Sequence, residues 1–597
     1  LLVEPLTFTQ PWQLVAAAEI ASQAGHTEAA QRYWLALEQH PEWRDRAILE
    51  EVDLFIKTND TKRRTDALTM LDTWEEDKRH EGKPLSLDLL TRWTTLMTTV
   101  GASDIAYARL PYWLDWFAHD TDPTNDRDLA LLYRELAMHA EAMGDGRLAL
   151  EHYRHAFEAA GLATPAQTQS DAAWTLAMRT PDVPCCAKAV PTVDWLDVSL
   201  RERAAERYEA EQTILQTGFT VDLDSGKPGW SDLTKFTWMK EARFPLMHGR
   251  AVLRADTVHM DVGKLPHGQS AFGFMNVFKH PLFLGKPVNH DTGESIALGW
   301  EGEHFGFDIG STPLGFIYED VVGGLHWSTD VGPVGITTEL YRRAEDGSLL
   351  AFGGQRDPLT KLTWGGVRRT GIALNLSLDQ GGFNGFWARG EAEKLKGHHV
   401  ADNHKLALMG GWYLRLIDCP HHERTAGLNL FYWTYDKDLS DYYFGQGGYY
   451  SPNQAVSTSF SLEESRRTAN LSWWVQGRLG LSWTSSDAHD RYPINKAFLQ
   501  AFKPNTDVDT ANEILGNAVS ELNTRDPGES DVGVSAGIRS RLEYRLTPRW
   551  ILGADFAWQH ADDYSPFFAG FWLQYRWSDW QGDLNLPPKP MVPYAEW

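Results

Sequence analysis

The sequence predicts a multidomain protein of the α plus all-β class, in which an N-terminal tetratricopeptide-like α-solenoid precedes a transmembrane antiparallel β-barrel. The hydrophobic pattern of the first third repeats with the period of an α-helix, whereas from Leu233 onward it alternates with a period of two. Aromatic residues make up 12% of the 597 residues and 50 residues are glycine, which is typical of a membrane barrel with many turns and aromatic girdles.

Composition argues against several classes of function. The net charge of −25 disfavours nucleic-acid binding, which needs a basic surface. Three cysteines without metal-ligand spacing argue against a disulfide scaffold and a zinc site. No apolar stretch approaches the roughly 18 residues of a membrane-spanning helix. Because the chain begins at Leu1 without a signal segment, we expect a mature or truncated fragment.

Residues 1–215 are predicted to form tetratricopeptide-like repeats. The stretch Pro11–Pro41 contains two amphipathic helical patterns that are interrupted near Gly25, and Leu131–Gly161 contains a second such pair. Small and aromatic residues stand at the repeat's offsets in both copies: Ala29, Tyr33, Ala36, Pro41, Gly144, Ala149, Tyr153 and Ala156. Such a solenoid usually binds partners, and a generic helical bundle is the alternative.

Residues 216–580 are predicted to form the barrel. In Val532–Leu546 the apolar residues share one face, and glycine, serine, arginine and glutamate occupy the other. About fourteen segments alternate in this way, most of them joined as hairpins. A soluble β-sandwich alternates too, but the long run of hairpins with aromatic residues near strand ends, such as Trp550 and Trp577, favours a membrane barrel.

Five motifs in the second half resemble the cellulose synthase operon protein C family in the same order. They are DSGKPGWSDL at Asp224–Leu233, FDIGSTPLGF at Phe307–Phe316, LDQGG at Leu378–Gly382, GQGGYYSPN at Gly445–Asn453 and WQGDLNLPPKPMVPYAEW at Trp580–Trp597. The resemblance implies a periplasmic solenoid and an outer-membrane barrel of about sixteen strands. It also implies cellulose as the exported polymer and, as partners, outer-membrane lipid and the periplasmic parts of a synthase complex or the cell wall. An exporter of another polysaccharide, such as poly-N-acetylglucosamine, is the alternative.

A polymer conduit needs lumen groups that bind sugar rings weakly and repeatedly, such as aromatic faces and hydrogen-bonding side chains. The alternation and the C-terminal tail supply the candidates for this path: Asn375, Asp379, Arg539, Arg541, Glu543, Asp555, Trp572, Gln574, Arg576, Tyr594 and Trp597. The opposite charges of Arg539, Arg541 and Glu543 could equally pair across strands and stiffen the wall.

Two long loops and the tail are candidates for gating. Leu265–Glu294 carries Phe272, Phe274, Phe278 and Phe283 as a possible plug, and Asp487–Ser530 is a longer, polar insertion. Residues 581–597 form a proline-rich and therefore stiff tail. We expect it to fold into the periplasmic mouth and to bring Tyr594 and Trp597 onto the polymer path; a role in assembly or partner binding is the alternative.

No catalytic, metal or cofactor site is predicted. Glu301 and Glu303, two apart on a predicted strand, resemble a glycosidase pair only superficially. The histidines expected in turns lack a carboxylate or cysteine pattern for a metal: His398, His399, His404, His421 and His422.

Overall fold

The structure is a computed structural model that describes residues 10–57, 61–82, 85–119, 125–181, 194–266, 271–277, 287–358, 360–494, 520–561 and 565–597. The chain divides into two compact units, one of Leu1–Arg179 with Thr192–Glu211 and one of Thr180–Pro191 with Gln212–Trp597. Cys419 is disulfide-bonded. Cys185, Cys186, Phe278 and Phe283 lie outside the described residues.

The first unit is helical. Its helices are α1 Pro11–Gln23, α2 Thr27–Leu37, α3 Arg44–Lys57, α4 Thr61–Glu81, α5 Leu87–Val100, α6 Ser103–Ala118, α7 Asn125–Ala142, α8 Gly146–Ala159, α9 Pro165–Thr168, α10 Asp171–Ala177 and α11 Trp195–Ala210. Asp145 caps α8 by accepting a hydrogen bond from the Leu148 amide, and Gly101 ends α5 in the left-handed conformation. None of the helices in the described ranges is long and apolar enough to cross a membrane.

The predicted helix pairs are confirmed. The pair α1 and α2 corresponds to Pro11–Pro41, and the pair α7 and α8 corresponds to Leu131–Gly161. Ala149, Tyr153 and Ala156 are completely buried, so the small residues let the neighbouring helix approach while the tyrosine fills the space between turns.

Among its described residues, the second unit contains nineteen strands, one short α-helix and a 3-10 turn at Tyr594–Glu596. The strands before this helix are β1 Ile214–Asp224, β2 Leu233–Leu246, β3 Gly249–Asp261, β4 His290–Glu301, β5 Phe305–Ser311, β6 Val321–Val331 and β7 Val334–Ala344. After the helix, α12 Leu349–Gly353, come β8 Gln355–Arg356, β9 Thr363–Leu378, β10 Asn384–His398, β11 Asn403–Cys419, β12 His422–Tyr435, β13 Gln454–Arg467, β14 Leu471–Ser486, β15 His489–Asp490, β16 Arg525–Asp526, β17 Glu529–Thr547, β18 Trp550–His560 and β19 Phe567–Arg576.

Sixteen of these strands form one closed antiparallel barrel, as predicted. Each pairs with the next barrel strand along the chain, so that β7 pairs with β9 and β14 with β17. Strand β1 closes the ring by pairing with both β2 and β19. Strand β8 only extends β9, and β15 pairs with β16 in a separate hairpin. Short turns such as 332–333 and 548–549 connect the strands at one end, which we call the turn end. Long connections such as 262–289, 345–362, 436–453 and 487–528 leave the other end, the loop end.

The two faces of the wall differ as the alternation predicts. On β17, Val532, Val534 and Ile538 are 68, 61 and 53% exposed, whereas Glu543 and Arg545 are 2 and 5% exposed. An apolar outer face and a polar inner face are the arrangement of a barrel surrounded by lipid, where closure satisfies every backbone hydrogen bond.

One acidic residue of the helical unit makes its stability depend on pH. Burial raises the pKa of Glu141 to about 7. The unfolded chain therefore releases this proton first, and the stability present below about pH 4.5 falls as the pH rises towards 7. We expect Glu141→Gln to stabilise the unit by about 1–2 kcal/mol at pH 8 and hardly at pH 4.

Thermal unfolding followed by far-ultraviolet circular dichroism measures this difference, with Glu202→Gln, an exposed position on α11, as the matched control. An equal gain at both pH values would contradict the assignment to Glu141.

Candidate functional site in the barrel interior

The C-terminal tail lies inside the barrel. Its first part contacts inward-facing residues at the turn end: Arg467 donates to the Leu584 carbonyl at 3.1 Å, and Ser472 donates to the Asn585 carbonyl at 2.5 Å. Arg545 also donates to the Gln581 carbonyl, at 3.2 Å. These three residues belong to β13, β14 and β17, which are neighbours on one side of the ring.

The last residues of the tail contact the opposite side of the ring, deeper in the barrel. The Tyr594 amide donates to Asp256 at 2.7 Å, and its hydroxyl donates to Asp308 at 2.8 Å. The Nε of Arg343 donates to the Trp597 carbonyl at 3.0 Å. These partners lie on β3, β5 and β7, so the tail crosses the lumen from one wall to the other.

The tail enters the ring at the turn end and continues towards the loop end. Ala595 packs on a cluster that includes Phe316, Leu349 and Phe352 from the loop end. At Gly310 a Cβ atom would lie 2.7 Å from the Tyr594 ring, so only glycine lets the ring lie this close to the wall. The position of Tyr594 and Trp597 on a polymer path stays a prediction.

Buried charges hold the tail in place because each has a partner of opposite charge. Arg343 makes two hydrogen bonds to Asp308, at 2.7 and 2.6 Å, beneath the Tyr594 ring. Lys235 lies 2.8 Å from Asp346 and 3.6 Å from Glu596. Losing one member of such a set would leave an uncompensated charge in the barrel, which is costly.

A second charged group lines β2 and β3. Arg254 pairs with Glu241 at 2.8 Å and with Asp256 at 2.5 Å, and it donates to the Val592 carbonyl of the tail. Sequence reasoning did not select Arg254, Asp256, Asp308 or Arg343. The sequence could have indicated these four residues, because each is a charged residue at an inward position of a strand whose other face is apolar. Asp308 also lies within one of the five motifs.

The predicted lumen residues of β17 and β18 are paired with one another. Arg539 and Arg541 lie 2.6 and 3.6 Å from Asp555, which is 1% exposed. Glu543 accepts a hydrogen bond from the Lys589 amide of the tail at 3.3 Å. The arginines therefore brace the wall across two strands, and Glu543 contacts the tail.

The predicted residues of β9 and the following turn lie elsewhere in the ring. Asn375 donates to Glu339 at 3.0 Å and accepts from Arg389 at 2.8 Å, within a network across β7, β9 and β10. Asp379 lies just beyond β9 at the turn end. Hydrogen bonds from Arg415 and Tyr413 lower its pKa to about 2, so it is an anion at neutral pH.

The predicted residues of β19 lie on its inner face. Trp572 is 3% exposed and packs with Met239 of β2 and Met591 of the tail. Gln574 accepts a hydrogen bond from Gln216 at 3.3 Å. The Arg576 guanidinium lies 5.2 Å from the Trp580 ring. Trp572, Tyr594 and Trp597 thus place aromatic surfaces in the interior, and the rings of the last two are 5.0 Å apart.

The loops at the loop end form a second obstruction, which we call the cap. Its apolar core includes side chains from the four long connections named above: Phe272, Phe274, Met275, Val277, Leu350, Ala351, Leu439, Phe444, Tyr449, Tyr492 and Leu522. Phe274 stacks on Phe444 with ring centroids 4.5 Å apart and on Tyr492 at 5.7 Å. The Phe274 amide donates to the buried Asp357 at 2.9 Å.

Charged residues in the cap also compensate one another. Among the described residues, one group of three could hold a metal ion, namely Asp441, His489 and Asp526. His489 Nε2 lies 3.3 Å from Asp441 Oδ2, and that hydrogen bond raises the pKa of His489. Arg491 pairs with Asp526 and with Glu521, so a guanidinium already balances this carboxylate.

Two further expectations need correction. Glu301 ends β4 whereas Glu303 lies in the following turn and is largely exposed, so the two are not paired on a strand. Of the histidines expected in turns, three lie in strands: His398, His404 and His422.

Residues 231–578 match the family described as cellulose synthase operon protein C C-terminus. The chain is 36% identical over 78% of its length to cellulose synthase operon protein C of Salmonella typhimurium, and 34% identical over 78% to that of Escherichia coli K12. It covers 38 and 39% of these relatives, so it spans less than two thirds of their length. A solved structure described as a bacterial polysaccharide outer membrane secretin matches 62% of the chain and 99% of its own length, with a TM-score of 0.38 and 12% identity.

The contacts of Tyr594 predict how firmly the tail is held. Tyr594→Phe removes the hydrogen bond to Asp308 but leaves Arg343 beside it, so the docked tail should lose about 1 kcal/mol. Tyr594→Ala also removes the buried ring and should cost about 3–5 kcal/mol. Hydrogen–deuterium exchange of residues 591–597 would then accelerate about fivefold for the first variant and more than a hundredfold for the second.

Tyr544→Phe, on the outer face of β17, is the matched control and should leave exchange in the tail unchanged. Equal exchange in all three variants would show that Tyr594 does not anchor the tail.

Proposed function

The chain belongs to the cellulose synthase operon protein C family, and from this premise we propose that its barrel is the conduit through which cellulose crosses the outer membrane. The observation that carries the proposal is a closed ring of sixteen strands whose interior holds polar and aromatic side chains. A barrel of this strand number is wide enough for an aqueous channel. The tail and the cap that obstruct the barrel are segments of the same chain, which a polymer could push aside.

In the proposed orientation the turn end faces the periplasm and the loop end faces the exterior, since outer-membrane barrels have short periplasmic turns and long external loops. The helical unit then lies in the periplasm and docks components of the synthase complex or the cell wall. The apolar outer face contacts outer-membrane lipid.

The proposed polymer path runs through the lumen beside the tail, between the inner faces of β19 and β9. Trp572, Tyr594 and Trp597 offer aromatic surfaces to pyranose rings. Asn375, Asp379, Glu543, Gln574 and Arg576 offer hydrogen-bonding groups, whereas Arg539, Arg541 and Asp555 chiefly brace one another. Many weak contacts of this kind permit both entry and exit.

The proposed role is passive and needs no cofactor. The matched family and relatives carry the name of an operon protein rather than of an enzymatic activity. Chain growth at the synthase would supply the driving force, and the barrel would supply only a path.

The first test is the fate of the polymer in a cellulose-producing bacterium whose full-length relative carries this barrel. Loss of the protein should leave cellulose synthesised but retained in the periplasm, because only the outer-membrane step is missing. Cellulose would be quantified in the periplasmic and surface fractions. Undiminished surface cellulose would refute the proposal.

The second test separates cellulose from poly-N-acetylglucosamine. The full chain in detergent micelles should bind cellohexaose, which enters from the turn end, with higher affinity than a hexamer of N-acetylglucosamine, as measured by isothermal titration calorimetry. The reverse preference would favour the alternative polymer.

The third test asks whether the cap must open. Gly273 and Tyr443 are paired backbone neighbours in parallel orientation, so the adjacent Phe274 and Phe444 can be replaced by a cysteine pair that bridges two loops. Under oxidising conditions Phe274→Cys/Phe444→Cys should abolish export, and a reductant should restore it. The two single variants are the controls; export by the oxidised pair at the parent rate would show that these loops need not separate.

A further inference from the structure

The helical unit contains a groove whose lining residues are not among the predicted repeat positions. It is a cavity of about 420 Å³ between the end of α2, the first half of α3 and one face of α4. Ile48, Met70 and Trp74 form its apolar floor. The Trp74 indole is fixed by a 3.0 Å hydrogen bond to Asp45, so the floor is preorganised.

The α4 side of the groove is a regular stripe. Thr69, Met70, Thr73 and Asp77 lie three, four, seven and eleven positions after Asp66, which places all five on one face of the helix. Both aspartates are exposed. They stand eleven positions apart, which corresponds to roughly 16 Å along a helix that rises 1.5 Å per residue.

The groove carries more negative than positive charge. Five carboxylates line it, from Glu38, Asp45, Asp66, Asp77 and Glu81, against two cations, from Arg44 and Lys78. Lys78 is already paired with Asp45 at 2.8 Å. The carboxylates at the two ends of the stripe therefore face solvent with a negative excess.

From these features we infer that the groove binds an extended, basic segment of a partner protein. An extended chain advances about 3.3 Å per residue and alternates its faces, so two lysines or arginines six positions apart share one face at roughly 20 Å, and their long side chains can lean inward to Asp66 and Asp77. Apolar residues between them fit the floor of Ile48, Met70 and Trp74. Complementary charge sets the register and accelerates association. This inference does not depend on which polymer the barrel carries.

The test uses the full chain in detergent micelles and a fluorescein-labelled peptide, Lys-Ser-Leu-Ser-Leu-Ser-Lys, measured by fluorescence anisotropy. The matched peptide Glu-Ser-Leu-Ser-Leu-Ser-Glu is expected to bind at least tenfold more weakly. Asp66→Asn/Asp77→Asn should weaken binding of the lysine peptide about tenfold, and raising the salt concentration should weaken it in the parent, since both act on the same charge pairs.

Glu202→Gln/Glu206→Gln removes two acidic charges from α11 and is the matched control for net charge. It should bind the lysine peptide as the parent does. Circular dichroism reports whether each variant is folded. A photo-reactive residue at Thr73 should then cross-link the peptide.

Three results would overturn the inference: equal binding of both peptides, unchanged affinity in Asp66→Asn/Asp77→Asn, or cross-linking from position 73 to a second copy of the chain in place of the peptide. The last result would make the groove a contact between copies.

Discussion

The pairing of β1 with β19 is the constraint on which the rest of the structure depends. In lipid, an unpaired strand edge would leave backbone amides and carbonyls without hydrogen-bond partners, at a cost of several kcal/mol each. Ten residues of β1 pair with β19, from Ile214 with Arg576 to Leu223 with Phe567. Closure then fixes which face of every strand looks outward, because side chains alternate across the wall. The enclosed interior is a direct consequence, and so is the need to fill or hydrate it.

Charge compensation explains why this interior is ordered. Arg254, Asp308 and Arg343 are removed from bulk water by the wall and by the tail that lies against them. A carboxylate or guanidinium in such surroundings needs both an ion partner and further hydrogen bonds. The tail supplies some of these further hydrogen bonds with its own carbonyls and amides. It therefore acts as part of the barrel's inner surface, and its displacement would require substitute partners such as water or sugar hydroxyls.

Alternation in single strands predicted the ring well but incompletely. About fourteen segments could be recognised, and the weakest of the sixteen strands have physical reasons to be missed. Strand β5 has only seven residues, and β6 carries Gly323 and Gly324, which have no side chain to show a face. Strand β1 begins at Ile214, before the point where the alternation becomes obvious.

The tail and the cap were recognised as segments, but their positions depend on contacts between residues far apart in sequence. The Tyr594–Asp308 hydrogen bond, for example, joins positions 286 residues apart. No local pattern records such a pairing.

The two obstructions of the barrel are physically linked through α12. Leu349 and Phe352 of this short helix pack in the same apolar cluster as Ala595 of the tail. Leu350 and Ala351, on its other side, pack in the core of the cap. Withdrawing the tail would expose one side of α12, and opening the cap would expose the other. Each event thus removes part of the packing that holds α12 in place, which lowers the cost of the second event. Two sites that stabilise the same element are thermodynamically coupled in both directions. On the proposed export path, a polymer that displaced the tail would therefore weaken the cap before reaching it.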